Sequence, residues 1–267
     1  MAAPELPPLV KDFGYDEEMN PRYRRTMEDA HVFFERAGLD RKGVFFGVFD
    51  GHGGTSAVEF VRDNIYRTFM EVIVANPSAP IATVMAETFK MTDKKMEGAH
   101  IEFDGCTAAV VFIRREILEG KEVTKIYSAN CGDARTVLVR NGTGKRLSFD
   151  HKPNLPEEVE RIQAAGGFVA MGRVNGVLAV SRALGDIAMK KYVTSDPYVS
   201  ETIVDYEKDT HIIVACDGVW DVVNDDEAAK IITEKKGAGC EKAAEALKQR
   251  ALDAGSMDNV SVMVVQI

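Results

Sequence analysis

Residues 106–149 read CTAAVVFIRREILEGKEVTKIYSANCGDARTVLVRNGTGKRLSF. Within that stretch CTAAVVFI, EVTKIYSANC, RTVLVR and GKRLSF are short β-rich runs, separated by turn residues such as Asn141-Gly142. Strands joined this closely pair as antiparallel neighbours. Upstream the period is different. In TSAVEFVRDNIYRTFMEVIVAN, Val58, Val61, Ile65, Phe69 and Val72 recur at helical spacing until Asn76-Pro77 stops them. Pro80 opens a second helix with Ile81, Val84, Met85, Phe89 and Met96 on one side. Short strands are expected near Asp29–Glu35 and Gly43–Phe49. Downstream, PEEVERIQAAGG reads as a short helix with a glycine stop. FVAM, VLAVS, YVSETIV and HIIVACDG read as strands, DDEAAKIITEKK and CEKAAEALKQRALDAG as helices, and NVSVMVVQI as a last strand. The order is strands, two helices, many strands, two helices, strand. It lacks the regular βαβα alternation of a doubly wound sheet. It predicts an α+β fold: antiparallel sheets packed face to face, with helices outside.

The 267 residues suit one large domain or two small ones, and 45% hydrophobic with 28% charged residues is an ordinary globular balance. Residues 1–11 are Pro-rich and expected to be loose; 12–267 contain no linker and read as one domain. The net charge of −9 argues against a nucleic-acid footprint, which needs a basic face. Cys106, Cys131, Cys216 and Cys240 form no C-x-x-C pair and read as reduced, structural thiols, favouring a cytosol-like compartment. The start, MAAPELPPLV, lacks the basic end and apolar stretch of a signal peptide. No segment approaches the roughly 18 apolar residues of a membrane helix. A cytoplasmic protein is expected, with the nucleus not separated from the cytosol, and a monomer as the default.

The chemistry-bearing residues cluster at strand ends. VFFGVFDGHGG (44–54) ends on Asp50-Gly51-His52, and HIIVACDGVWD (211–221) again ends in Asp-Gly, at Asp217. SMDNVSVMVVQI reverses the order, with Asp258 just before a strand, and RRTMEDAHVFF places Glu28 and Asp29 at a strand start. Acidic residues at four strand ends, converging at one mouth of a sandwich, repel one another and need cations. The set is acidic and has no Cys or His pair at zinc-ligand spacing, so oxygen ligands select Mg²⁺ or Mn²⁺. The calcium-loop pattern of an EF-hand is absent. Two such ions about 3.5–4 Å apart can acidify a water and clamp a phosphate. Phosphoester cleavage also needs a fixed cation for the phosphate. Arg24, four residues before Glu28, is a candidate by its planar fork, though alone it reads as one surface arginine in the run Arg22, Arg24, Arg25. It needs as well a proton for the leaving alkoxide, which His52, two residues after Asp50, is placed to give.

RRTMED, DGHGG, SRALGD, ACDGVWD and DNVS, in that order, resemble the metal-dependent serine/threonine protein phosphatases of the 2C type, from about Phe13 to Ile267. The resemblance implies two central antiparallel β-sheets between pairs of helices, a four-layer αββα sandwich. It implies hydrolysis of phosphoserine and phosphothreonine proteins by a water or hydroxide bridging two Mg²⁺ or Mn²⁺ ions. It also implies the roles: Asp50 bridging both metals, the Gly51 carbonyl on one of them, Asp217 and Asp258 completing the other. Glu28 serves the metal that Gly51 contacts, with Asp29 as ligand or supporting residue. Arg24 binds phosphate and His52 is the general acid. A flap over roughly His151–Met171 would shape substrate choice. A weaker third metal would use Glu102 or Asp104, with Asp104 favoured and Asp217 shared. Asp186 reads as structural. The chain departs from the family's Gly-Ser-Thr-Ala at Gly105-Cys106-Thr107-Ala108.

Other readings fall on the residues. A cysteine phosphatase needs C-x5-R, and no Cys has Arg six residues on. No G-x-S-x-G elbow is present for a serine hydrolase. A two-metal nuclease lacks its basic stripe. The alternative from another class is a catalytically inactive scaffold of the same fold that binds phosphoproteins or signalling partners. Such a protein would have lost metal aspartates, and here Asp50, Asp217 and Asp258 are all present.

Overall fold

The computed structural model describes residues 7–267. Strands β1 (Asp12–Glu18), β2 (Asp29–Ala37) and β3 (Gly43–His52) precede helices α1 (Ser56–Ala75) and α2 (Ile81–Gly98). Strands β4 (Gly105–Leu118), β5 (Lys121–Cys131), β6 (Arg135–Arg140) and β7 (Thr143–Arg146) follow, then helix α3 (Pro156–Ala164). Three two-residue strands come next: β8 (Val169–Ala170), β9 (Arg173–Val174) and β10 (Leu184–Gly185). The chain ends with β11 (Tyr198–Ile203), β12 (Asp209–Ala215), α4 (Asp217–Trp220), α5 (Asp225–Lys235), α6 (Cys240–Asp253) and β13 (Val260–Gln266).

One sheet runs β1-β13-β12-β6-β7 and the other β11-β5-β4-β3-β2, with β10 added against β4. All the strand pairs are antiparallel. The two-residue side-chain period then assigns the layers. In β4, Ala108, Val110 and Phe112 pack with α1 and α2, while Ala109, Val111 and Ile113 pack against the second sheet. In β13, Val260, Val262 and Val264 face α5 and α6, while Met263 and Val265 face the first sheet. Continuous apolar runs such as AAVVFI arise because both faces of each sheet are covered. The face-to-face antiparallel sheets with outer helices expected from the element order, and the αββα layering the resemblance implies, are the observed architecture. Each fully buried Phe, such as Phe45, Phe49 or Phe112, contributes about 1.5–3 kcal/mol on area grounds.

Local differences from the sequence reading have physical causes. VLAVS forms no strand. Asn175-Gly176 turns the chain tightly after β9, and Leu178 bonds only to Val174, leaving the run as a loop. The HIIVACDG run ends as a strand at Ala215, and Asp217 opens the one-turn helix α4 instead. The sequence reading left β1 out, because DFGYDEE is acidic; it is an edge strand carried by β13. Of the segment expected to be loose, residues 1–6 lie outside the described residues, while Leu9 is buried in the layer between the sheets. All four cysteines are buried thiols. Among the described residues no helix is long and apolar enough to cross a membrane.

Candidate active site

The register of β3 decides what meets at the mouth of the sandwich. Asp50 lies opposite Asp29 on β2 and opposite Thr107 on β4. Residues directly opposite share a face, so two carboxylates are set side by side, an arrangement that destabilises a sheet unless something offsets it. Asp29 turns to the second sheet, where the Ser261 hydroxyl donates to its Oδ2 at 2.6 Å. From that sheet come Asp217, just past β12, and Asp258, just before β13. The chain at Gly218 passes so close to Asn259 that a Cβ would lie 1.9 Å from its carbonyl oxygen, which requires glycine in this Asp-Gly pair. The β5–β6 turn adds Asp133. Carboxylate oxygens of Asp50, Asp133 and Asp217 all lie within 4.8 Å of one another.

Electrostatics sharpen the conflict. Burial pushes Asp50 well above the usual carboxylate range, and the charges of Asp217 and Asp29 push it further. Asp217 is raised in the same way, by burial and then by Asp133 and Asp221. Burial raises Asp29 to about 7 against the lowering effect of its Ser261 hydrogen bond. The chain brings one ammonium of its own. Lys152 Nζ lies 2.6 Å from Asp133, 3.4 Å from Asp221 and 4.0 Å from Asp217. One lysine does not neutralise this group, and an all-oxygen donor set fits a hard divalent cation.

A cavity of about 420 Å³ joins these groups. Arg24, Asp50, Gly51, His52, Asp133, Asp217 and Asp258 all line it, and Phe103 and Val177–Val180 form an apolar wall. Arg24 is half-exposed and pairs with the Asp258 carboxylate. Asn259 organises the loop that carries it: its amide oxygen accepts from the Glu28 N–H at 2.9 Å, and its amide nitrogen donates to the Met19 and Thr26 carbonyls at 2.7 and 3.0 Å. Gly51 N–H donates to the Glu28 carbonyl at 2.8 Å, while the Glu28 carboxylate accepts from the Thr26 hydroxyl at 2.7 Å and stands outside the three-aspartate cluster. His52 Nε2 lies 2.8 Å from Asp186 Oδ2. Burial pulls the His52 imidazole down, but the Asp186 hydrogen bond and charge outweigh it and the net shift is upward.

Asp104 stands apart from the cluster. Its Oδ2 accepts from the Ser56 N–H at 3.2 Å, capping α1, whose own Thr55 gives no side-chain cap. Two residues of consequence were not singled out from sequence, Asp133 and Asn259. The signal for Asp133 was present: SANCGD is a β-rich run that breaks into Gly-Asp, the pattern that drew attention to Asp50 and Asp217 in mirror form.

The family model described as Protein phosphatase 2C matches residues 13–260. Protein phosphatase 2C homolog 1 of Schizosaccharomyces pombe is 39% identical over 255 residues, covering 95% of this chain and 72% of the relative. Protein phosphatase 2C homolog 1 of Saccharomyces cerevisiae is 35% identical over 272 residues, covering 98% of this chain and 96% of the relative. The crystal structure of a serine-threonine phosphatase 2C from Toxoplasma gondii superposes with a TM-score of 0.80 at 21% identity, covering 96% of this chain and 95% of that one, a likeness of fold.

Proposed function

The chain belongs to the protein phosphatase 2C family, and from that premise we propose that it hydrolyses phosphoserine and phosphothreonine in proteins with Arg24 and His52 as its working side chains. The observation that carries the reading is the Asp50–Asp133–Asp217 cluster sharing one cavity with Arg24 and His52. Asp50, Asp133, Asp217 and Asp258, with the Gly51 carbonyl, would hold Mg²⁺ or Mn²⁺; Glu28 and Asp29 support them from the adjoining loop and strand. When bound, such ions supply an acidified water and neutralise phosphoryl charge.

The chain's own groups do the rest. The Arg24 guanidinium takes the phosphate oxygens, for which the substrate competes with Asp258. The ester P–O bond breaks, the water's oxygen ends on phosphorus, and the serine or threonine oxygen leaves with a proton from His52. The imidazole then regains its proton from solvent. A general acid contributes about 10²–10⁴-fold to an ester with a poor leaving group. Asp104 caps the N-terminus of α1 through one carboxylate oxygen, and its proposed place at a weaker third metal draws on the other.

The test is turnover of a phosphothreonine peptide by metal-stripped protein given nothing, Mg²⁺, Mn²⁺ or Ca²⁺. Activity restored by Mg²⁺ or Mn²⁺ is the expected result. A folded protein that binds these ions and never turns over would instead be the inactive scaffold.

A further inference from the structure

His52 and Asp186 are far apart in sequence, and three strands bring them together. On β4, Gly105 lies opposite His52 of β3 on one side and opposite Gly185 of β10 on the other. Asp186 follows directly on Gly185. Its side chain is 3% exposed and its Oδ2 lies 2.8 Å from His52 Nε2. Two further features single the contact out from an incidental ion pair.

The first is that nothing fits between the partners. A Cβ at residue 105 would stand 2.2 Å from Asp186 Oδ2 and 2.2 Å from His52 Nε2, so the hydrogen bond occupies the space that any other residue would fill. The second is that Asp186 holds a left-handed backbone, φ +48°, which a non-glycine residue adopts only when its surroundings fix it. They do so here: its N–H donates to the Asp104 carbonyl at 2.9 Å, and its carbonyl accepts from the Met189 N–H at 2.8 Å in the 3-10 turn that follows. Nε2 is thereby occupied. Nδ1 has no partner among the described residues, and His52 lines the cavity.

We propose that Asp186 is a positioning residue for proton donation: it holds the His52 ring through Nε2 and leaves Nδ1 as the nitrogen that delivers the proton to the leaving oxygen. The inference rests on His52 being the proton donor, as proposed above. A carboxylate that fixes the tautomer and the direction of a working imidazole recurs on unrelated folds.

The experiment compares a phosphoserine peptide with p-nitrophenyl phosphate, whose phenolate leaves without help, at saturating Mg²⁺. Asp186→Gly removes the side chain and accepts the positive φ. It is expected to lower kcat on the peptide about 10- to 100-fold, the usual cost of losing an outer partner of a functional histidine, with KM little changed. On p-nitrophenyl phosphate the loss should stay within a few-fold. Asp186→Asn keeps an acceptor oxygen in place and should recover much of the peptide rate. In a His52→Gln background Asp186→Gly should cost nothing more, since the two residues act as one unit. Gly105→Ala puts a methyl into the hydrogen bond and gives a second route to the same break, should Asp186→Gly not fold. Equal losses on both substrates, or an undiminished further loss in the His52→Gln background, by either route, would overturn the positioning role. A His52→Gln protein that slows both substrates equally would instead remove the general-acid reading on which this inference stands.

Discussion

At the scale of single residues, the metal role proposed for Asp217 sets function against stability. Burial disfavours its charge and Asp133 and Asp221 repel it, with Lys152 as a distant partial offset. Asp217→Asn keeps the shape and removes the charge. Turnover should vanish, while the melting temperature of metal-free protein should hold or rise; about 1 kcal/mol of relieved repulsion corresponds to roughly 2–4 °C in a chain of this size. Phosphopeptide turnover and thermal unfolding on the same preparation decide it. Near-normal activity, or a melting point several degrees lower, would show that Asp217 is an ordinary structural aspartate. Asp50, Asp217 and Asp258 were legible because each sits where an apolar strand meets Asp-Gly or Asp-Asn. Asp133 was harder to see, since Cys131-Gly132-Asp133 reads as a plain turn until β5 and β6 are set in their sheets. Asp104 was legible as an acid near the site, but which N–H donates to it depends on where α1 begins, and no local pattern tells that.

Among the elements, α3 is held on largely by charge. The small apolar cluster under it is Ile162, Val174, Val180, Ala183 and Val193. Glu158 is buried beneath the helix. Its carboxylate accepts from Arg182 Nε at 3.0 Å and Arg161 Nη2 at 2.9 Å, while Arg161 also reaches the Tyr192 and Ser181 carbonyls at 2.8 and 2.7 Å. Burial alone would raise the Glu158 carboxyl, but Arg182, Ser181 and Arg161 hold it down to about 2. Glu158→Ala leaves two arginines without their partner, a loss on the order of 3 kcal/mol. Because few apolar contacts back the segment, it should open locally rather than unfold the sandwich. Amide hydrogen exchange over 156–193 should rise while the β3–β4 amides stay protected. Uniform acceleration across both regions would refute a separate unit. The same poverty of packing explains the misread VLAVS run: its apolar residues serve a satellite core and the cavity wall, not a ladder. β1 escaped the sequence reading for the opposite reason, since its pairing is supplied by β13, the last strand of the chain, and its own residues carry little β signal.

On the scale of the whole molecule, the sandwich brings strand ends from both sheets to one mouth, and that geometry makes the mouth acidic whatever the rest of the surface does. The layering was legible because strand order and helix periodicity determine which faces need cover; the convergence of ends was legible only as a consequence of that layering. It leads to a prediction about pH. Asp29 is raised to about 7 by burial, and Asp50 and Asp217 are raised well above the carboxylate range. A carboxyl whose folded value is raised favours the folded state while protonated and loses that contribution as pH climbs from about 4 through the folded value. His151 and His211, pulled down to about 4 by burial, act oppositely: their contribution is full above about 6.5 and fades as pH falls to 4. The raw melting curve therefore mixes two trends, but only the carboxylates respond to a divalent cation. Because these carboxyls are raised, the cation displaces more protons at low pH than at high pH. Each proton released by binding adds about 1.4 kcal/mol of stabilisation per pH unit. The rise in melting temperature on adding saturating Mg²⁺ should thus grow steadily from pH 5 to pH 8, and the growth should be shallower in Asp217→Asn. A gain that is equal at pH 5 and pH 8 would mean that the cation binds away from the buried aspartates, and the assignment of Asp50, Asp133 and Asp217 to it would fail.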